Sequence, residues 1–203
     1  MMEALIVGNR PLTKSVVELS KNKFIIAADG GGDRLLDFNI LPNKIIGDLD
    51  SLSDKTATDL KNRLVIDKNV EKTDLEKAVD YAIKKGKKKI KIVGWSGGRI
   101  DHTIGALGLA FIPNVELIDD NFTVKTATNL ETIIGEKGTL FSLIGIPEAK
   151  VSVEGAKWNL KYQKLKMGGR GLHNEIGDSE KVTIECHSGN LLIFKGNFIL
   201  EHN

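Results

Sequence analysis

Three carboxylates in the first half of the chain have the types and spacing for metal chemistry. In GDLDS (47–51), Asp48 and Asp50 stand one residue apart, with Gly47 before them and Ser51 after. In a turning loop, two such carboxylates can converge on one cation. Oxygen ligands suit a hard ion such as magnesium, which takes one or two carboxylates and fills its other positions with water and phosphate. Asp74 is the third, in the first turn of a helix that Thr73 would cap. Each has an ordinary explanation too. A polar turn uses Asp for backbone hydrogen bonds, and a helix start favours a negative side chain without any metal.

Two glycine-rich loops add groups that suit phosphate. ADGGGDR (28–34) follows the apolar run FIIAA, and GWSGGRIDH (94–102) follows KIKIV. Glycines at strand-to-helix turns let backbone N–H groups approach an anion closely. Arg99 offers a planar fork of donors for phosphate oxygens. Asp101 can accept a hydrogen bond or a proton, and His102 can move a proton near neutral pH. Neither loop is a Walker loop or a G-x-G-x-x-G fingerprint. Tight turns account for either loop alone, and a lone Arg-x-Asp is more often a surface ion pair.

The elements around these clusters decide how to read them. EALIVG (3–8), KFIIAA (23–28), NKIIG (43–47), RLVI (63–66), KIKIVG (89–94) and VELID (115–119) are short, nearly continuous apolar runs. That is the pattern of strands buried on both faces of a parallel sheet. Leu75, Ala78, Val79, Ala82 and Ile83 repeat at helical spacing after Thr73. Thr73 with Glu76 forms a capping-box signature, and Gly86 stands where a helix stop is expected. Strand–helix alternation of this kind implies an open α/β sheet. The clusters near 29, 48, 74 and 99 all follow strands or open a helix, and a parallel sheet sends its strand ends to one edge. Together they point to a magnesium–nucleotide phosphate site. They do not identify the acceptor or the number of phosphates moved.

Beyond about residue 122 the rhythm changes. VKTAT, TLFSLIG, KVSVEG, WNLKYQKLKM, KVTIEC and NLLIFKG are strand-like, with Gly- or Asn-containing turns between them and no long helical period. The expectation is an N-terminal, open, mostly parallel α/β sheet domain over 1–121 and a small antiparallel β-sandwich domain over 122–203. On residue type alone, Trp158 reads as a core aromatic of that sandwich.

Composition narrows the class. An apolar share of 41% with 28% charged residues fits a folded globular chain. The formal net charge of +2 is too near zero to argue for nucleic acid. The run KKGKKKIK (84–91) lacks interleaved aromatics and reads as a solvated helix end. No stretch approaches the roughly 20 apolar residues of a membrane helix. MMEALIVGNRP reads as a first strand rather than a secretion signal. Cys186 is the only cysteine, which fits a reducing cytoplasm.

The ordered set ADGG (28–31), GDLDS (47–51), KTD (72–74), GGRIDH (97–102), GAKWNL (155–160) and GLHNE (171–175) resembles the thiamine pyrophosphokinases and spans most of the chain. The resemblance implies an enzyme that moves pyrophosphate from ATP to thiamine. It also implies a homodimer whose active site lies between subunits. By the resemblance, Asp48, Asp50 and Asp74 would hold Mg²⁺, while Ser51, Thr73, Gly98 and Arg99 would meet the ATP phosphates. Asp29, Gly30 and Gly31 would line the cleft, and Asp101 would bind the aminopyrimidine of thiamine. Trp158 would pack on the thiamine rings, with His173 and Asn174 completing that pocket. Leu49 replaces the usual aromatic of the GDFDS loop, and His173 stands where Ser commonly precedes Asn. A 6-hydroxymethylpterin pyrophosphokinase and a non-catalytic nucleotide-binding protein remain the alternatives.

Overall fold

The computed structural model describes residues 2–199, with side chains described through residue 196. The chain divides into two compact units, Met1–Asp120 and Asn121–Asn203.

The first unit is a parallel sheet with helices between its strands. Its strands are β1 (Glu3–Val7), β2 (Phe24–Ala28), β3 (Lys44–Gly47), β4 (Leu64–Ile66), β5 (Lys89–Val93) and β6 (Val115–Ile118). Their order is β6-β5-β1-β2-β3-β4, and every pair is parallel. All six apolar runs of the sequence are strands. Burial explains why: Ala4, Leu5, Ile6 and Val7 of the central strand are wholly buried. The helices are α1 (Ser15–Ser20), α2 (Gly31–Leu36), α3 (Asp54–Asp59), α4 (Asp74–Lys84) and α5 (Ile100–Leu107). α1 and α3 went unread because six residues are too few to display a helical period.

The helix expected after Thr73 is α4, and its capping box forms. The Thr73 N–H donates to Glu76 Oε2 at 2.7 Å, and the Glu76 N–H donates to Thr73 Oγ1 at 3.3 Å. Gly86, at φ +72°, ends it with an N–H bond to the Ile83 carbonyl at 2.8 Å.

The chain runs from β1 outward to β4 on one side, then returns to place β5 on the other side of β1. This reversal is a topological switch point, where open α/β sheets form their ligand crevice. Gly8 and Gly94 leave the two strands there. A Cβ on Gly8 would lie 2.4 Å from the Gly94 carbonyl oxygen, and one on Gly94 would lie 2.7 Å from that of Gly8. Only glycine permits this approach.

The strand pairs of the second unit are antiparallel. The unit contains β7 (Phe122–Thr126), β8 (Leu130–Ile134), β9 (Thr139–Glu154), β10 (Leu160–Lys166), β11 (Asn174–Glu175) and β12 (Lys181–Ile199). β12 pairs with β7, β8 and β9, and β9 also pairs with β10 and β11. TLFSLIG and KVSVEG, separate in the sequence reading, form one strand, as do KVTIEC and NLLIFKG. Register shifts between Cys186 and Ser188 and between Gly189 and Leu191 let β12 bend without ending. It can therefore serve both layers of the sandwich, whose core includes Phe141, Leu143, Val151, Leu165 and Ile193. β8 was not anticipated, because its outward residues Leu130 and Ile134 are apolar and hide the alternation. No helix among the described residues is long and apolar enough to cross a membrane.

Candidate active site

The acidic loop after β3 is built by an unusual backbone. Leu49 takes φ +69°, in the left-handed region that leucine rarely adopts. Its side chain turns inward onto the core beneath the sheet end, while Asp48 and Asp50 are exposed. The aromatic-to-leucine change therefore sits on the core side of the loop. Asp29, at the end of β2, also has positive φ, at +46°. Such strain persists where surrounding contacts hold it and gathers at functional sites.

Those contacts are identifiable. Asp33 on α2 accepts bonds from the Ser53 N–H at 2.9 Å, from Ser53 Oγ at 2.6 Å and from the Thr56 hydroxyl. Burial raises its pKa, but these donors outweigh burial and hold it below the usual carboxylate value. The Ser51 N–H donates to Asp29 Oδ2 at 3.3 Å, and Ser51 Oγ donates to Asp50 Oδ1 at 3.0 Å. Gly47 provides a close approach: a Cβ there would lie 3.0 Å from both Asp29 Cβ and Asp74 Oδ1.

Asp29, Asp48 and Asp50 each offer a carboxylate oxygen within 4.8 Å of the others. Asp29 is 3% exposed, and its Oδ1 has no hydrogen-bond partner among the described residues. Burial, with charge from Asp74, Asp50 and Asp48, lifts the Asp29 pKa to about 6, against a smaller lowering by the Ser51 N–H. A buried carboxylate with one oxygen unpartnered, close to two further carboxylates, fits a hard divalent cation. Asp29, read from the sequence as a cleft residue, thus belongs to the acidic cluster itself.

Asp74 is placed differently. It is close enough to raise the Asp29 pKa, but its Oδ1 takes a bond of 2.9 Å from Lys77 Nζ. The Lys77 side chain is only 4% exposed. Burial alone would lower its pKa, but the bond and charge of Asp74, with Asp48 and Asp67, hold it above the usual lysine value. Lys77 was missed. Its one signal was a lysine on the buried stripe of α4, beside Ala78, Val79 and Ala82.

A cleft of about 570 Å³ opens at the switch point. Ser51, Asp29, Thr73, Asp74, Arg99 and Asp101 all line it. Asn9 and Arg10 after β1 line it too. They went unread, although GNR follows a strand as the other clusters do. Gly30 and Gly31 are buried and lie off the cleft wall. A Cβ on Gly31 would lie 2.1 Å from the Val7 carbonyl oxygen, so packing accounts for this glycine. A Cβ on Gly98 would lie 2.3 Å from Arg10 Cζ, so Gly98 leaves the space that the guanidinium fills.

Arg99 and Asp101 are held by each other. Arg99 Nε donates to Asp101 Oδ1 at 3.1 Å and Nη2 to Oδ2 at 2.6 Å. Both side chains are exposed. The Arg99 bonds are the main reason the Asp101 pKa falls to about 2. A carboxylate this acidic is a poor proton acceptor at neutral pH.

In the second unit, Trp158, His173 and Asn174 line one pocket of about 630 Å³. Trp158 is 50% exposed, so it is not the core aromatic that its residue type implied. Asn174 is buried. Its Oδ1 accepts from the Trp158 N–H at 3.3 Å and its Nδ2 donates to the Trp158 carbonyl at 2.8 Å. Asn174 therefore holds the tryptophan's backbone. His173 adopts φ +62°, and its N–H donates to Ser142 Oγ at 3.0 Å.

The chain thus carries an acidic cluster after β2 and β3, reaching through Asp29 into the cleft at the switch point, and an antiparallel unit with a pocket lined by a half-exposed tryptophan. The family model for the thiamin pyrophosphokinase catalytic domain matches residues 17–118, and that for the thiamin pyrophosphokinase vitamin B1 binding domain matches residues 123–191. The chain belongs to the thiamin pyrophosphokinase family. It is 26% identical over 219 residues to thiamine pyrophosphokinase 2 of Oryza sativa subsp. japonica, covering 90% of this chain and 82% of that one. It is 33% identical over 90 residues to thiamine pyrophosphokinase of Bacillus subtilis (strain 168), 42% of each chain. The crystal structure of thiamine pyrophosphokinase from Bacillus subtilis shares the fold, with a TM-score of 0.85, 23% identity and coverage of 96% and 98%. That of a probable thiamine pyrophosphokinase from Staphylococcus saprophyticus gives 0.75 at 27% identity, covering 97% and 100%.

Proposed function

We propose that this chain transfers pyrophosphate from ATP to the hydroxyl of thiamine, giving thiamine diphosphate and AMP. The observation that carries the reading is that carboxylate oxygens of Asp29, Asp48 and Asp50 lie within 4.8 Å of one another, with Asp29 Oδ1 buried and unpartnered and Asp29 in one cleft with Asp74 and Arg99. Magnesium held by Asp48 and Asp50, with Asp29 and Asp74 at the same locus, would neutralise charge on the ATP phosphates.

The chain's own residues position and polarise. Arg99 meets the phosphates and stabilises charge that grows as the β-phosphorus is attacked. Ser51, Thr73 and Gly98 flank the phosphate path. Asp101 accepts a hydrogen bond from the aminopyrimidine, a role its low pKa favours over that of general base. Because Arg99 and Asp101 share two hydrogen bonds, the groups for the two substrates are coupled before either arrives. Trp158 offers its ring face to the cationic thiamine. Assembly as a homodimer with the site at the subunit interface, residence in the cytoplasm, and the lack of a nucleic-acid or membrane partner complete the proposal. The near-neutral net charge of +2 supports the lack of a nucleic-acid partner.

The test is AMP release with thiamine, with a hydroxymethylpterin and with no acceptor, side by side. Thiamine-dependent AMP is the expected result. Pterin-dependent AMP, or nucleotide binding without AMP, overturns the reading. Asp50→Asn is expected to cut turnover at saturating magnesium by about 100-fold or more while the circular dichroism is unchanged.

A further inference from the structure

The turn that carries Trp158 is stitched to β11 by more than Asn174. The Lys157 N–H donates to the Glu175 carbonyl at 2.9 Å. Lys157 Nζ donates to both carboxylate oxygens of Glu175, at 3.0 and 3.1 Å. The Glu175 side chain is 6% exposed. A buried carboxylate is costly to leave without a cation and costly to move, so Glu175 fixes where that ammonium stands. It stands 4.6 Å from the centroid of the Trp158 ring. Trp158, half exposed, is therefore held in two ways. Asn174 holds its backbone, and Lys157 covers one ring face while anchored from behind by Glu175. Asn174 Oδ1 also accepts from the Glu175 N–H at 2.9 Å, which links the two anchors.

We infer that the Lys157–Glu175 pair is a positioning device for Trp158, presetting the indole so that a cationic aromatic substrate stacks on the face opposite the ammonium. This rests on the proposed thiamine reading and adds two residues to it. Glu175 offsets the charge of Lys157, so the ammonium covers one side of the ring without repelling a cation on the other. Without the pair, the exposed indole samples other rotamers and the substrate must order it. Ordering one side chain on binding costs roughly 0.5–1.5 kcal/mol, or about 2- to 12-fold in affinity. The cost falls on ground-state and transition-state binding alike, so KM rises and kcat stays.

The experiment compares Lys157→Met and Lys157→Arg with the wild-type chain. Methionine keeps an apolar stem over the ring but loses the charge and the bonds to Glu175. Arginine restores both. Lys157→Met is expected to raise the thiamine KM about 2- to 12-fold with kcat and the ATP KM unchanged. It is also expected to weaken the near-ultraviolet circular dichroism of Trp158, isolated by subtracting the spectrum of Trp158→Phe. Lys157→Arg is expected to recover both. A merely structural role would lower the melting temperature and leave the thiamine KM and the indole signal unmoved, which overturns the inference. A fall in KM overturns it too, since the ammonium would then be a competitor for the ring. If the wild-type chain releases no AMP with thiamine, the proposed function fails by itself. The indole signal still reports the pair without turnover, and its persistence in Lys157→Met refutes the positioning role.

Discussion

Asp29→Asn isolates the electrostatic load of the acidic cluster. Asparagine is isosteric and tolerates the φ of +46° at this position. Its Oδ1 can still accept the Ser51 N–H, and its Nδ2 can donate to the neighbouring carboxylates. The Asp29 pKa is lifted to about 6 in the folded chain, from an ordinary value of 3.8. A group whose folded pKa is raised binds protons more tightly when folded, so stability falls as pH rises between the two values. At about 1.36 kcal/mol per pKa unit, the cost in the metal-free protein approaches about 3 kcal/mol, and water in the cleft reduces it to about 1–2. In chelator, Asp29→Asn should therefore match the wild type near pH 4 and melt higher near pH 8, by about 2–4 °C for each kcal/mol. Magnesium should then raise the melting temperature of the wild type well above its chelated value and that of the variant much less. Thermal unfolding followed by circular dichroism at both pH values, with and without magnesium, decides the matter. A variant no more stable than the wild type at the higher pH refutes the charge argument. Equal magnesium stabilisation of the two chains refutes the cation assignment.

Two further perturbations probe the residues that hold the site. Lys77→Met leaves the Asp74 carboxylate beside three others without its partner, and should destabilise the metal-free chain by about 2–4 kcal/mol in urea unfolding; magnesium should restore part of the loss. Arg99→Ala removes the main cause of the low Asp101 pKa, so that carboxyl should titrate well above about 2, toward the ordinary value, in a carboxyl-resolved NMR titration. An unchanged Asp101 value would show that Arg99 does not hold it.

Much of the fold was legible because its signals are local. The six strands of the parallel sheet, the capping box at Thr73 and Glu76 and the stop at Gly86 each depend on residues within a few positions of one another. The gathering of Asp29, Ser51, Asp74 and Arg99 in one cleft was legible for a topological reason: a parallel sheet sends every strand's carboxyl end to the same edge. Side-chain direction at that edge was not legible. The left-handed turn at Leu49, which sends leucine to the core and both aspartates outward, arises from packing beneath the sheet. Asp29 joins the metal-type cluster because Gly47 and Ser51, far along the chain, bring it there. Lys77 against Asp74, Arg99 against Asp101, and Lys157 between Glu175 and Trp158 are decided by which neighbours share a buried space.

In the second unit, the bends of β12 and the merging of two apparent strands in β9 depend on the partner strand across each bulge. Sequence by itself determined the six parallel strands, the helix after Thr73 and which edge carries the chemistry, since propensity, period and chain direction are properties of short segments. Tertiary structure alone decided which charges pair and which stay open for a ligand, because an ion's partner is set by burial and distance in space, and neither is written in the order of residues.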